Sequence, residues 1–356
     1  MQGVEQTLAT APAQGLDVAE IRRRYGSAFR CRPAIYWTDM LVSAAVGWTA
    51  FAAALMATFG SLEWAGYLGI AIFANLRAVL FIHEIAHIKG GTLRGFEIAW
   101  HAVVGAPLQV PSLMYVGSHN EHHKRSAFGT ADDPEYAPIA QYSRFKLLFF
   151  VLSVAVVPIV LPLRWGLLAP LSYSVPGLRK LVVERLSTLG INPAYRRPLP
   201  KGTQAERWQR QELALGIVFW IAVVAFLSGV IGVEFWLTWV CMTGGILLIN
   251  QVRTLAAHRY ESDGSACDSA DELLDSINLS GVPVLTALVA PVGLRYHALH
   301  HLLPAVPYHA LGTLHRRLSR ELPQEAEYHQ AEAGGVFATV RDLWTRAQAR
   351  ETAPTQ

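Results

Sequence analysis

Long apolar runs alternate with short polar turns along this chain. Four runs carry almost no charge and have about the 20 residues that a helix needs to cross a bilayer: residues 40–59, 64–82, 213–233 and 235–252. Only residues 60–63 separate the first two runs, and only Glu234 separates the last two. The pattern predicts an all-α integral membrane protein with two transmembrane helical hairpins, which is about four spanning helices.

Three further apolar stretches are interrupted by proline. Residues 147–178 contain four prolines and Arg164, so we expect a hairpin that lies in the membrane interface or enters the membrane only partway. Residues 98–116 and 282–294 also contain prolines and are predicted to be interfacial or re-entrant. Interfacial helices are therefore expected beside the two spanning hairpins.

The placement of lysine and arginine predicts the orientation. Five arginines lie between residues 22 and 32 and eight basic residues between 179 and 210, whereas the two hairpin turns carry none. Because cytoplasmic loops are enriched in positive charge, both termini and the long middle segment should be cytoplasmic. We expect a cytoplasmic N-terminal segment (1–33), a membrane domain (34–320) and a cytoplasmic C-terminal tail (321–356), in a bacterial inner membrane.

Composition supports the membrane assignment. Of the 356 residues, 52% are hydrophobic and 16% are charged, whereas soluble domains contain roughly 25% charged residues. The net charge of +3 is spread over connecting segments, so no nucleic acid partner is expected. The three cysteines are widely spaced and form no metal-binding motif.

Histidine supplies the candidate chemistry. Nine of the 13 histidines form three short motifs and one singlet: His83 and His87; His119, His122 and His123; His297, His300 and His301; and His258. Positions i, i+3 and i+4 share one face of a helix, so each motif presents its imidazoles to a common point. All nine lie at or beyond predicted cytoplasmic helix ends, which predicts one histidine-rich cap.

The number of histidines indicates more than one metal ion. Imidazole suits zinc, copper, iron and nickel, but nine converging imidazoles exceed what one ion of this kind can hold. Two ions with four or five imidazoles each would use them all. The remaining histidines are predicted not to be ligands: His101, His309, His315 and His329.

The three histidine motifs, their order and their placement around two hairpins resemble the membrane fatty acid desaturase superfamily. This superfamily includes acyl and sphingolipid desaturases and related lipid and carotenoid hydroxylases. The resemblance covers residues 36–317, and the sequences at 130–136 and 302–309 are also similar. His258 matches a further histidine of the acyl-CoA branch, although that branch has asparagine where this chain has Thr254.

The resemblance implies a centre of two iron ions that activates O2. By residue-for-residue match, the iron ligands would be His83, His87, His119, His122, His123, His258, His297, His300 and His301. The substrate would be a lipid or acyl chain from the membrane, and electrons would come from an external ferredoxin or cytochrome. No catalytic residue beyond the metal centre is predicted.

Carboxylates are expected to hold the second nitrogen of the ligand imidazoles. The candidates are Glu121, Asp132, Asp133 and Asp268, and Glu84 can also hold a histidine.

The sequence leaves the reaction open. The main prediction is an O2-dependent lipid desaturase, the alternative is a lipid or carotenoid hydroxylase, and a further alternative is a membrane zinc metallopeptidase that uses His83, Glu84 and His87.

Overall fold

The computed structural model describes residues 17–265 and 267–352. Helices dominate, with one two-stranded parallel sheet among the described residues. The α-helices are α1 Val18–Arg24, α2 Pro33–Met56, α3 Leu62–Val79, α4 Phe81–His87, α5 Phe96–Trp100, α6 Val116–His122, α7 Arg144–Leu152, α8 Val157–Leu163, α9 Ala169–Ser174, α10 Pro176–Leu186, α11 Gly202–Leu227, α12 Val233–Thr254, α13 Ser269–Asp275, α14 Pro283–Val289, α15 His297–Leu302, α16 Tyr308–Glu321, α17 Glu327–Gln330 and α18 Val336–Thr352. The strands are β1 Asn278–Leu279 and β2 Glu332–Ala333.

Both predicted hairpins are confirmed, as α2–α3 and α11–α12. Pro33 occupies the first turn of α2, where its missing N–H costs nothing. The Ser61 hydroxyl caps α3 by accepting a hydrogen bond from the Trp64 backbone N–H. Helix α12 packs against α3, and the Trp64 indole donates to Thr238 Oγ1 at 3.2 Å. Helices α2, α3 and α12 form an apolar bundle around residues such as Met40 and Leu76, whereas α11 packs in a separate cluster with Trp165.

The stretch around residue 160 differs from the prediction. It forms one helical run of 31 residues, Arg144–Ser174, instead of a hairpin. Five helical segments in the described chain are therefore long and apolar enough to cross a membrane. The run contains a 3-10 turn, Ser153–Val156, and a π turn, Arg164–Leu168, around Pro158 and Pro162. Prolines remove backbone donors and loosen the helix at these points instead of ending it.

Contacts with the second hairpin show how this run is placed. Gln251 of α12 donates to the Phe150 carbonyl at 3.1 Å, and Tyr173 donates to Glu212 of α11 at 2.6 Å. The middle of the run contacts Gly244 of α12 and Phe219 and Trp220 of α11. At 1.5 Å per residue, these positions lie roughly 10 Å from Gln251 and Glu212 along the same two helices. Both ends of the run thus lie beside the same end of the hairpin. This geometry favours partial entry into the membrane.

Residues 96–111 form an interrupted helix whose free carbonyls need donors. Three tryptophan indoles from different helices supply them: Trp48 donates to the Val103 carbonyl at 2.7 Å, Trp239 to Pro107 at 3.0 Å and Trp165 to Gln109 at 2.9 Å. Irregular backbone at membrane depth is tolerated only when such groups are satisfied within the protein. The tryptophans therefore stabilise this interrupted helix.

The C-terminal part covers the histidine-bearing end of the bundle. Strand β1 pairs with β2, and the buried helix α15 contacts β1. Helix α18 buries Leu343 and Ala347 beside α7, and Tyr328 of α17 is fully buried. Residues 327–352 of the predicted tail therefore pack on the body of the protein, and α1 packs in the same cluster as α16.

Candidate metal site

Three short helices and one helix end bring the nine histidines together. Helix α4 continues the direction of α3 and carries His83 and His87. Helix α6 carries the second motif, α15 carries the third, and His258 follows α12. The His83 and His87 rings lie 4.9 Å apart between centroids, as expected for neighbours on one helix face. The histidine-rich cap expected from the sequence is therefore present.

Five of the imidazoles form one group, which we call the five-histidine group. Nε2 of His119 lies 2.9 Å from Nε2 of His87 and 3.1 Å from Nε2 of His123, and His300 Nε2 lies 3.1 Å from both His87 and His123. With His83, these residues place one ring nitrogen each within 4.8 Å of the others. The group thus surrounds a single small volume.

The other four imidazoles form the four-histidine group. His297 Nε2 lies 3.0 Å from His258 Nε2 and 3.2 Å from His301 Nε2, and His122 completes the group. All four residues are buried. The rings of His123 and His301 stack at 4.3 Å between centroids, so the two groups are adjacent.

Helical periodicity explains which histidine joins which group. The i, i+4 pairs stay together: His83 with His87, His119 with His123, and His297 with His301. His122 belongs to the four-histidine group, although the pair from its own motif is in the five-histidine group. His300 belongs to the five-histidine group, although the pair from its own motif is in the four-histidine group. Adjacent residues on a helix point about 100° apart, so each three-histidine motif contributes to both groups.

Carboxylates hold the outer nitrogens of several of these rings. Both oxygens of Asp133 lie 2.9 Å from His122 Nδ1, and both oxygens of Glu135 lie 3.1 Å from His119 Nδ1. Two further acids on α13 lie beside the outer nitrogens of rings in the four-histidine group. Glu272 lies 2.9 Å from His301 Nδ1, and Asp275 lies 3.2 Å from His258 Nδ1.

This arrangement fits metal ions. A neutral imidazole has one N–H, and where that N–H is on Nδ1 and donates to a carboxylate, Nε2 presents a lone pair. Several such lone pairs then face one another at about hydrogen-bond distance with no proton between them. In addition, neither ring nitrogen of the buried His83 has a hydrogen-bond partner among the described residues. Cations resolve both features, and the two groups suit a site for two metal ions.

Burial sets the protonation of most of these rings. Removal from water lowers the pKa well below the usual value, and neighbouring imidazoles lower it further, for His119, His123, His297, His300 and His301. These rings are neutral, as metal ligands must be.

His122 behaves differently. Burial lowers its pKa, but the negative charge and hydrogen bonds of Asp133 outweigh burial and raise the pKa of His122 to about 9. Burial raises the pKa of Glu135 and of Glu272 to about 7. The positive charge of His122 opposes this rise for both acids, and a metal ion bound by His122 would have to displace its proton.

The structure places the predicted carboxylates differently from expectation in three of four cases. Asp133 contacts a histidine, but Glu121 pairs with Lys124 at 2.6 Å on the surface. The Asp268 carboxylate caps α13 by accepting hydrogen bonds from backbone N–H groups in the first turn of that helix, and Asp132 is exposed. Glu135, Glu272 and Asp275 also lie beside the rings and are not among the predicted acids. Glu135 lies two residues after Asp133, but the two acids on α13 become visible only once α13 packs beside α15.

Glu84 lies beside His83 but is not part of the five-histidine group. Its carboxylate accepts hydrogen bonds from the Tyr36 hydroxyl and from the Tyr308 backbone N–H at 3.2 Å, and its other oxygen lies 3.4 Å from His83 Nδ1. The Tyr308 hydroxyl donates to Asp39 at 2.8 Å, and Asp39 also pairs with Arg77. Glu84 therefore links α4 to α2 and α16.

The remaining histidines lie outside both groups. His101 lies 2.9 Å from Ser112 Oγ, His309 accepts from the Arg32 backbone N–H at 3.3 Å, and His315 lies 2.8 Å from the Tyr328 hydroxyl.

Comparison with known proteins agrees with this geometry. The chain matches the fatty acid desaturase family model over residues 62–332 and belongs to that family. It is an oxidoreductase of lipid metabolism and an integral membrane protein. The chain is 40% identical over 318 residues to the ceramide hydroxylase of Caulobacter vibrioides (strain NA1000 / CB15N). The matched region covers 88% of this chain and 89% of that protein. No solved structure matches.

Proposed function

We propose that this protein is an O2-dependent di-iron hydroxylase of a ceramide or closely related sphingolipid. The observation that carries the proposal is the nine-histidine pocket in a chain that is similar to a ceramide hydroxylase over most of its length. That relative supports the hydroxylase alternative better than the desaturase that we predicted first.

We propose the five-histidine and four-histidine groups as the ligand sets of the two irons. When bound, the irons would supply the activation of O2 and the cleavage of a C–H bond of the lipid. The chain's own part is to hold the ring nitrogens in place and to exclude water. Asp133, Glu135 and Glu272 orient three of the rings and make them stronger ligands for a metal ion.

The proposed orientation places both histidine groups and both termini in the cytoplasm of a bacterial cell. Two features support it. Ile21 of α1 and Tyr25, which follows α1, pack in one apolar cluster with Leu299 of α15, so the N-terminal helix lies at the histidine-bearing end. The basic segments identified in the sequence also lie at this end of the spanning helices. We propose that electrons come from a separate ferredoxin or cytochrome.

The zinc peptidase alternative is disfavoured by the position of Glu84. A peptidase base must face the metal-bound water, whereas the Glu84 carboxylate is engaged with Tyr36 and Tyr308. Seven further histidines beside His83 and His87 would also have no role.

The test is to express the chain with an electron-transfer system in cells that contain ceramide and to analyse the sphingolipids by mass spectrometry. A gain of one oxygen supports the proposal, and a loss of two hydrogens identifies a desaturase instead. His300→Ala should abolish either product, whereas His329→Ala, outside both groups, should keep it. Metal analysis of the purified protein should find iron, and one zinc per chain would contradict the proposal.

A further inference from the structure

An apolar groove runs along the outer face of α11. It has a volume of about 890 Å³ and lies between α11 and the part of the long helical run that includes Trp165, Ala169 and Pro170. It extends from Gln209 to Ser228, which is roughly 30 Å at 1.5 Å per residue. This length is comparable to the hydrocarbon thickness of a bilayer.

One end of the groove carries charge. Glu212 lines this end and is 2% exposed. Its carboxylate accepts hydrogen bonds from Arg164 at 2.7 Å, Arg179 at 2.9 Å and the Tyr173 hydroxyl at 2.6 Å. Two guanidinium groups therefore face one carboxylate, which leaves one net positive charge.

Hydrogen-bonding capacity is also left over at this end. Arg164 is 3% exposed, and its Nη1 has no hydrogen-bond partner within the described part of the chain. The guanidinium of Arg179 stacks on the Tyr173 ring at 4.2 Å, and its side chain keeps 16% exposure. Because Tyr173 lines the groove, the Arg179 guanidinium lies at the edge of the groove, where it can meet the headgroup of a ligand.

The charged end lies where the membrane surface is expected. Residues 202–212 of α11 are mostly polar, and residues 213–227 are uniformly apolar. The change at Glu212 marks the boundary between headgroups and hydrocarbon, which is the level of lipid phosphates. Basic pockets between helices at this level are suited to anionic headgroups.

We propose that this groove binds one anionic phospholipid of the bilayer, with an acyl chain along α11 and the phosphate at Arg179. The groove is separate from the nine histidines, and the proposal does not depend on which reaction they support. Charge complementarity selects an anionic lipid over a zwitterionic one, because the two arginines exceed the single acid.

Native mass spectrometry of the purified full chain can test this with phosphatidylglycerol and phosphatidylcholine of identical acyl chains. We expect retention of phosphatidylglycerol to exceed that of phosphatidylcholine by about five-fold, the value for one basic residue at a membrane surface. Arg179→Gln should remove this preference. Lys180→Gln is the matched control, because the Lys180 side chain is 65% exposed and pairs with Glu184 at 3.8 Å, away from Glu212.

Val224→Trp provides a second test that leaves the charges intact. Val224 lines the groove and is 61% exposed, so the larger ring fills the groove without disturbing the bundle. We expect retention of phosphatidylglycerol to fall to the level of phosphatidylcholine. Equal retention of both lipids by the unaltered protein would overturn the proposal, as would unchanged retention in Val224→Trp.

Discussion

Glu272→Gln tests whether the acids beside the rings support metal binding. The Glu272 carboxylate lies 2.9 Å from His301 Nδ1 and is 8% exposed. Glutamine has the same shape and can still accept from Nδ1, but it carries no charge. His301 then becomes a weaker ligand for the metal ion proposed in the four-histidine group, while the packing of α13 against α15 is preserved.

The expected loss follows from removing the negative charge beside one ligand ring. Replacing one such partner typically weakens metal binding by roughly 10–100-fold, which corresponds to about 1.4–2.7 kcal/mol. Because Glu272 contacts the four-histidine group, the loss should affect one metal of the two. Glu135, which holds His119 of the five-histidine group, is left in place.

The assay is metal analysis of the purified protein after dialysis against a graded series of chelator concentrations. Glu121→Gln is the matched control: it removes the same charge beside a histidine motif, but its carboxylate pairs with Lys124 at the surface. We expect Glu272→Gln to lose one metal at a lower chelator concentration than the unaltered protein, and Glu121→Gln to behave like the unaltered protein. If Glu121→Gln loses metal and Glu272→Gln does not, the assignment of the supporting acids is refuted.

Three further outcomes are expected. His300→Ala removes a ligand of the five-histidine group and should lower both the metal content and the yield of oxidised lipid, which metal analysis and lipid mass spectrometry can measure against His329→Ala. Glu84→Gln should keep much of the oxidase activity but lower the unfolding temperature. Glu84 is a buried acceptor of two hydrogen bonds, and weakening them should lower the free energy of unfolding by about 1–3 kcal/mol. Complete loss of activity in a correctly folded variant would instead favour a direct role in the reaction. Gly166→Ala should destabilise the fold by about 1–3 kcal/mol, because a Cβ there would lie 1.9 Å from an aromatic ring of α11. Thermal unfolding in detergent should show no such loss for Gly66→Ala, where a Cβ would meet no atom within 4 Å.

The sequence alone determined the features that depend on neighbours along the chain. Apolar runs of about 20 residues predict spanning helices because a helix satisfies its own backbone in lipid, and both hairpins follow from them. The spacing within the histidine motifs predicts shared helix faces, and nine imidazoles predict two metals. For these features, sequence distance and spatial distance are tied by the geometry of the helix.

Tertiary structure decided which residues from distant segments meet. His122 and His123 are adjacent in sequence but belong to different groups, and only the folded chain brings histidines from other helices beside each of them. Glu272 reaches His301 only after α13 packs beside α15, so no local pattern marks it as a supporting acid.

In the run from 144 to 174, tertiary packing overrides what the local sequence indicates. Its prolines indicated a break, yet contacts with α11 and α12 hold it as one helix with irregular turns. Local propensity is weak compared with the packing of a long apolar segment against its neighbours. Features set by packing therefore could not be obtained from the order of residues alone.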